Sequence, residues 1–119
     1  MKKTIVEKII AKHAGLDDVN PGDIVDVKVD RLMINDSNGP TVFKNFQNLG
    51  VKEVQNKEGI LVAVDHRVPP WEAQQANNID FCRQFCRVHQ MDGFREIGRH
   101  GIGHQMVCEQ FVRPGVIAV

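Results

Sequence analysis

Five apolar residues in succession, Ile60-Leu61-Val62-Ala63-Val64, run straight into Asp65, His66 and Arg67, and Pro69-Pro70 follow two residues later. A short run with no polar member, rich in valine and isoleucine, predicts a strand covered on both faces, which is the condition of strands in parallel sheets. Proline cannot donate to a ladder and biases the residue before it away from helix, so the strand must stop and the chain must leave the sheet there. An acid, an imidazole and a guanidinium are therefore expected at the carboxyl end of a buried parallel strand, where open α/β sheets form their ligand crevices.

The flanking sequence supports a mostly parallel α/β sheet flanked by helices. Thr4 and Glu7 have capping-box spacing ahead of Ile5, Ile9, Ile10 and Ala14, with Gly15 as the stop, which predicts a helix from about residue 4 to 14. Asn20-Pro21-Gly22-Asp23 is a turn, and the alternation of Ile24, Val25, Val27 and Val29 with Asp26, Lys28 and Asp30 predicts a strand. The run from Asn35 to Gly39 is irregular. Pro40 then suits the first turn of a helix that carries Val42, Phe43, Phe46 and Leu49 and ends at Gly50. Beyond the central strand, Trp71 to His89 reads as the longest helix, with Phe81, Phe85 and Val88 facing the core. Gly93 ends it, Phe94 to Ile97 reads as a strand, a glycine-rich turn leads to a helix through Phe111, and Val116-Ile117-Ala118-Val119 reads as a last strand. Strand ends on one edge of such a unit are neighbours, so the turns after Asp65 and after Gly98 are expected to open into one crevice.

With 119 residues, one segment spanning 1–119 is the expected organisation. Fifteen basic residues balance fifteen acidic ones without a run of either sign, which argues against nucleic acid or a charged membrane surface as partner. No apolar stretch approaches the length of a bilayer span, and three cysteines without an export signal suit reduced thiols, so a cytoplasmic location is expected.

Four groupings compete for the chemistry. His66 beside Asp65, and His104 after its glycines, are imidazoles able to exchange protons near neutral pH, and a neighbouring carboxylate stabilises the protonated ring. Gly98, Gly101 and Gly103 lack the spacing of a dinucleotide-binding turn. Cys82, Cys86 and His89 share a helical stripe but border the Phe81 and Phe85 face, so buried thiols are favoured over a metal set. His100 and His104 have zinc-like spacing, yet Gly101 and Gly103 between them disfavour the helix that such a site needs.

The order of Pro21-Gly22-Asp23-Ile24-Val25, Asn35-Asp36-x3-Pro40, Asp65-His66-x2-Pro69, Gly101-Ile102-x-His104-Gln105-x3-Glu109 and Arg113-Pro114-Gly115 resembles the amino-terminal part of the aconitase superfamily, in its isopropylmalate dehydratase and homoaconitase branch. The resemblance runs from about Thr4 to Val119. It implies a hydro-lyase that reversibly dehydrates a hydroxy polycarboxylic acid, as in leucine biosynthesis. It assigns Asp65, His66 and His104 to catalysis and places Asn35 and Asp36 at the substrate. It also implies a 4Fe-4S cluster whose ligands lie outside this segment, so that Cys82, Cys86 and Cys108 are not cluster ligands and the segment alone is inactive. The implied partners are the remainder of the large subunit, a small swivelling subunit or domain that brings a serine base, and a small hydroxy acid. The alternative is a binding or assembly module of the same descent without catalysis of its own.

Overall fold

In the computed structural model, which describes residues 2–119, the central run is the middle strand of a three-stranded parallel sheet in the order β1-β2-β3. The strands are β1 (Leu32–Asn35), β2 (Ile60–Ala63) and β3 (Phe94–Arg95). Register pairs Leu32 with Ile60, Asn35 with Ala63, and Ala63 with Arg95. Every residue of β2 is buried, as an all-apolar strand between two neighbours requires.

Helices α1 (Ile5–Ala14) and α2 (Gly39–Asn48) fall where their start and stop signals lie, and α3 (Ala73–Val88) fills most of the expected 71–89 span but ends well before Gly93. Thr4 and Glu7 form the reciprocal capping box, and Gly15 closes α1 in the left-handed conformation at φ 68°. Pro40 occupies the first turn of α2. Helices α2 and α3 cover one face of the sheet. Phe43 stacks on Phe85 with ring centroids 4.1 Å apart, and Ile34, Ile60, Val62, Cys82 and Cys86 complete that core. The opposite face receives α4 (Gly103–Met106), which continues as one wide π-helical turn over Val107–Phe111.

Three sequence expectations are corrected, and one strand has no counterpart among them. Residues 24–29 form no ladder. Val25 and Val27 are half-buried beside α1, but Ile24 is fully exposed, and both edges of β1 are already occupied. Leu32-Met33-Ile34-Asn35, whose four residues give too short an apolar signal, is a strand. Val88 points to solvent at 73% exposure, because Ile79, Cys82, Phe85 and Cys86 make the buried stripe of α3. The terminal apolar run contributes one parallel bridge, Arg31 to Ala118, on the free edge of β1 and not beside β3. Val119 anchors it by donating to the Arg31 carbonyl at 3.0 Å and accepting from the Met33 amide at 2.7 Å.

Asp30 ties these outer pieces together. Its Oδ2 accepts from the Ile117 amide at 2.9 Å and from His13 Nε2 at 2.6 Å, and His13 Nδ1 meets the Ile9 carbonyl at 2.8 Å. The Ile117 amide, and after it His13, hold the Asp30 carboxyl below its ordinary value of 3.8. A group depressed in the folded state adds stability above its unfolded value and loses it as pH falls through the folded one. Acidification below 3.8 is therefore expected to free the 116–119 segment from Asp30, seen as a shift of the Ile117 amide resonance while amides of α3 stay in place.

The molecule is extended, 56 × 32 × 24 Å, with a radius of gyration of 16.7 Å, against about 13.5 Å for a compact chain of this length. It exposes 8444 Å², where a folded monomer of this mass exposes about 6,500 Å². Ile5, Ile24, Leu49, Trp71, Ile102 and Val119 are among the exposed apolar side chains. No helix of the described residues is long and apolar enough to cross a membrane.

Candidate active site

The carboxyl ends of β1 and β2 lie side by side, with an acid directly after β1 (Asp36) and one residue beyond β2 (Asp65). Register puts Asn35 opposite Ala63, so Asp36 lies beside Val64, one step short of Asp65. Asp36 is 2% exposed. Its Oδ1 accepts from the amides of Asp65 and His66, both at 2.9 Å, and its Oδ2 from the amide of Arg67 at 2.7 Å. Its own amide donates to the Ala63 carbonyl at 3.1 Å. Asp36 was expected at the substrate; the fold turns it inward onto the backbone of the next turn.

Asp65 is used differently. Its side chain is 6% exposed, and His66 Nδ1 donates to its Oδ1 at 2.6 Å. An ionised carboxylate only accepts, so Nδ1 carries the hydrogen and Nε2 is the nitrogen left for chemistry. The His66 side chain is 47% exposed, so that nitrogen has access to a ligand. The other oxygen, Oδ2, accepts from the Gly103 amide at 2.7 Å. A Cβ at Gly103 would lie 2.8 Å from Asp65 Oδ2 and 3.2 Å from Met33 Sδ, so only glycine lets the start of α4 come this close. This bond was not foreseen from sequence, although the glycines before His104 carry its signal. His104 follows on the first turn of α4 and is exposed. The two histidine-bearing turns, 38 residues apart at Asp65 and Gly103, thus meet at one carboxylate.

Asn35 makes the turn between β1 and α2. Its Oδ1 accepts from the amides of Ser37 and Asn38 at 2.9 and 3.0 Å, and its own amide donates to Asn38 Oδ1 at 2.9 Å. Arg67 lies over the Trp71 ring at 5.2 Å, beside a polar cavity of about 220 Å³ lined in part by Asp36, Ser37, Glu72 and Gln75.

Ligand atoms of Asp36, Asp65 and His66 lie within 4.8 Å of one another, in the manner of a metal set. Each of the four carboxylate oxygens already accepts a hydrogen bond, which makes the cluster a hydrogen-bonded scaffold. The cysteines do not suit an iron-sulfur cluster either. Cys82 and Cys86 are packed in the core, where burial pushes both thiols up to about 12, and Cys108 stands apart on the surface. Thiolate is the ligating form. A water-soluble alkylating reagent at neutral pH is accordingly expected to modify Cys108 alone in the folded chain and all three cysteines in denaturant, as mass spectrometry reads directly. His89 of the same stripe packs against Phe85, 4.2 Å between ring centroids, and carries no metal geometry.

Parallel strands ending in a shared acid-imidazole turn are the framework expected of the aconitase superfamily, and comparison with known proteins supports that kinship along the whole chain. No protein-family model matches the sequence. Curated relatives do: the chain is 38% identical over 120 residues to the 3-isopropylmalate dehydratase large subunit of Thermodesulfovibrio yellowstonii, covering all of this chain and 28% of that protein. It is 34% identical to the same subunit of Acetivibrio thermocellus, again over the whole chain and 29% of the relative. With large subunit 1 of Pyrococcus furiosus it shares 38% over 117 residues, 98% of this chain and 28% of the other. The chain is a relative of the 3-isopropylmalate dehydratase large subunit and spans somewhat over a quarter of its length.

Proposed function

We propose that this chain supplies the Asp65-His66 pair and His104 to a dehydratase that reversibly removes water from a hydroxy polycarboxylic acid of the 3-isopropylmalate type. The observation that carries the reading is the Asp65 carboxylate, which orients the His66 ring through Oδ1 and holds the His104 turn through Oδ2. In the dehydration direction a base outside this segment takes the proton from carbon, the C–O bond breaks, and the hydroxyl leaves as water after receiving a proton from His66 Nε2. In hydration His66 takes that proton back from water. Asp65 keeps its hydrogen bond to Nδ1 throughout, compensating the imidazolium and fixing which nitrogen faces the substrate. His104 is the second proton carrier, presented at the first turn of α4.

In this reading the 4Fe-4S group of the complete enzyme rests on residues outside this segment, which the burial of Cys82 and Cys86 and the separate surface position of Cys108 support. The remainder of the large subunit and a small swivelling subunit are the partners. The test is anaerobic assembly of a large subunit that includes this segment with its small subunit, followed by an absorbance assay for the unsaturated acid formed from 3-isopropylmalate. Turnover that vanishes when His66 and His104 are both replaced by alanine is expected. A cluster-loaded assembly that binds the substrate and never forms the alkene would instead support a binding module.

A further inference from the structure

We infer that Asp36 is a positioning residue for the Asp65-His66 pair, and that it acts by holding the backbone of the turn without touching substrate. The inference rests on the catalytic role proposed for His66. Three consecutive amides, those of Asp65, His66 and Arg67, converge on one carboxylate at 2.7–2.9 Å. A run of amides that encloses an anion is a preorganised dipole site, here filled by a side chain of the same molecule. Burying a carboxylate costs several kcal/mol unless its oxygens are satisfied. At 2% exposure Asp36 has no cationic side chain within ion-pair distance among the described residues, so these amides are its compensation.

The backbone angles of Asp65 and His66 are thereby fixed from below while Asp65 fixes the ring from the side. Residues of a turn followed by Pro69 and Pro70 have no ladder to hold them. Without Asp36, the direction in which His66 leaves the sheet has no other hydrogen-bonded restraint on its backbone amides among the described residues. Asp36 also makes a point of contact between β1 and the end of β2, since its own amide donates to Ala63. The distinction from substrate binding is one of capacity: Oδ1 accepts two amides and Oδ2 a third, so three of the four acceptor sites of the carboxylate are committed to the turn.

The first test needs no variant. In the isotope-labelled wild-type chain, scalar couplings across hydrogen bonds are expected from the amides of Asp65, His66 and Arg67 to the Asp36 carboxyl carbon, and a folded chain that shows none of them overturns the inference. The second uses Asp36→Asn, which keeps the shape but turns one oxygen into a donor, so at least one of the three amides must lose its acceptor. That amide is expected to exchange with solvent at least ten times faster while those of Ile79 and Phe85 are unchanged. In the assembled dehydratase the same variant is expected to lower kcat about a hundred-fold, the scale of a misplaced catalytic group, with KM unchanged and with no further loss when added to His66→Ala. A raised KM at constant kcat would make Asp36 a substrate ligand, and unchanged kcat and KM would make it dispensable; either overturns the inference. A wild-type assembly without dehydratase activity removes the proposed function instead, and the couplings then decide alone whether Asp36 holds the turn.

Discussion

Replacing His66 by alanine in the assembled dehydratase is expected to lower turnover about a hundred- to ten-thousand-fold, the range that a positioned acid-base group supplies. Stability should change far less: the His66 side chain is 47% exposed, and the lost ring leaves Asp65 Oδ1 without its partner, a cost of at most about 1–3 kcal/mol. What the substitution leaves behind is informative, because Asp65 keeps the Gly103 amide on Oδ2 and the Asp36 contacts are made by the backbone. The turn thus survives while the proton carrier is gone. His104→Ala is expected to show the same pattern, and a variant keeping a third or more of wild-type turnover per cluster would take His104 out of the chemistry. Turnover and melting temperature must be read on the same cluster-loaded samples, since cluster loss lowers activity in any variant.

The largest effect on folding is expected at Gly93. Its carbonyl accepts from the Val62 amide at 3.0 Å, at the start of the β2-β3 ladder. A Cβ there would sit 1.8 Å from the Ile60 carbonyl oxygen and 3.0 Å from its carbon. Both obstacles are backbone, so no rotamer relieves the overlap and β3 must move off β2. Gly93→Ala is expected to cost at least about 4 kcal/mol, the exceptional end of single substitutions. Against a total stability of about 5–15 kcal/mol for an ordinary domain, the variant should be largely unfolded in urea titrations that leave the parent native. Gly98→Ala is the control. Nothing lies within 4 Å of its Cβ, and only its φ of 90° is unfavourable, so a loss of about 1–3 kcal/mol is expected.

Both sites show what a sequence discloses and what it withholds. Ile60 to Val64 could be read as a buried strand because every residue in it is apolar, and α1 and α2 because Thr4, Gly15 and Pro40 are local signals whose meaning does not depend on distant residues, while α3 showed only in its apolar spacing. Residues 24–29 have equally good alternation, but a strand is a relation between two chains, and alternation cannot name the partner. The same limit hides the work of Asp36. The resemblance put Asp36 at the substrate, and only the parallel register discloses that it also lies against the amides after β2. Kinship with the isopropylmalate dehydratase branch came through five short motifs, most of them in or beside turns, where conformation and chemistry leave few residue choices. The tie between Asp65 and Gly103 lay outside any motif, being a contact between two of them.

The surface in excess of a compact monomer has a consequence for the life of the molecule in a cell. About 2,000 Å² beyond the usual value is more than twice what one partner gives to a standard protein–protein interface, about 800 Å². An isolated copy of these 119 residues, with that area uncovered, is expected to self-associate through Ile24, Leu49, Ile102 and their neighbours or to be captured by chaperones and proteases that recognise exposed apolar surface.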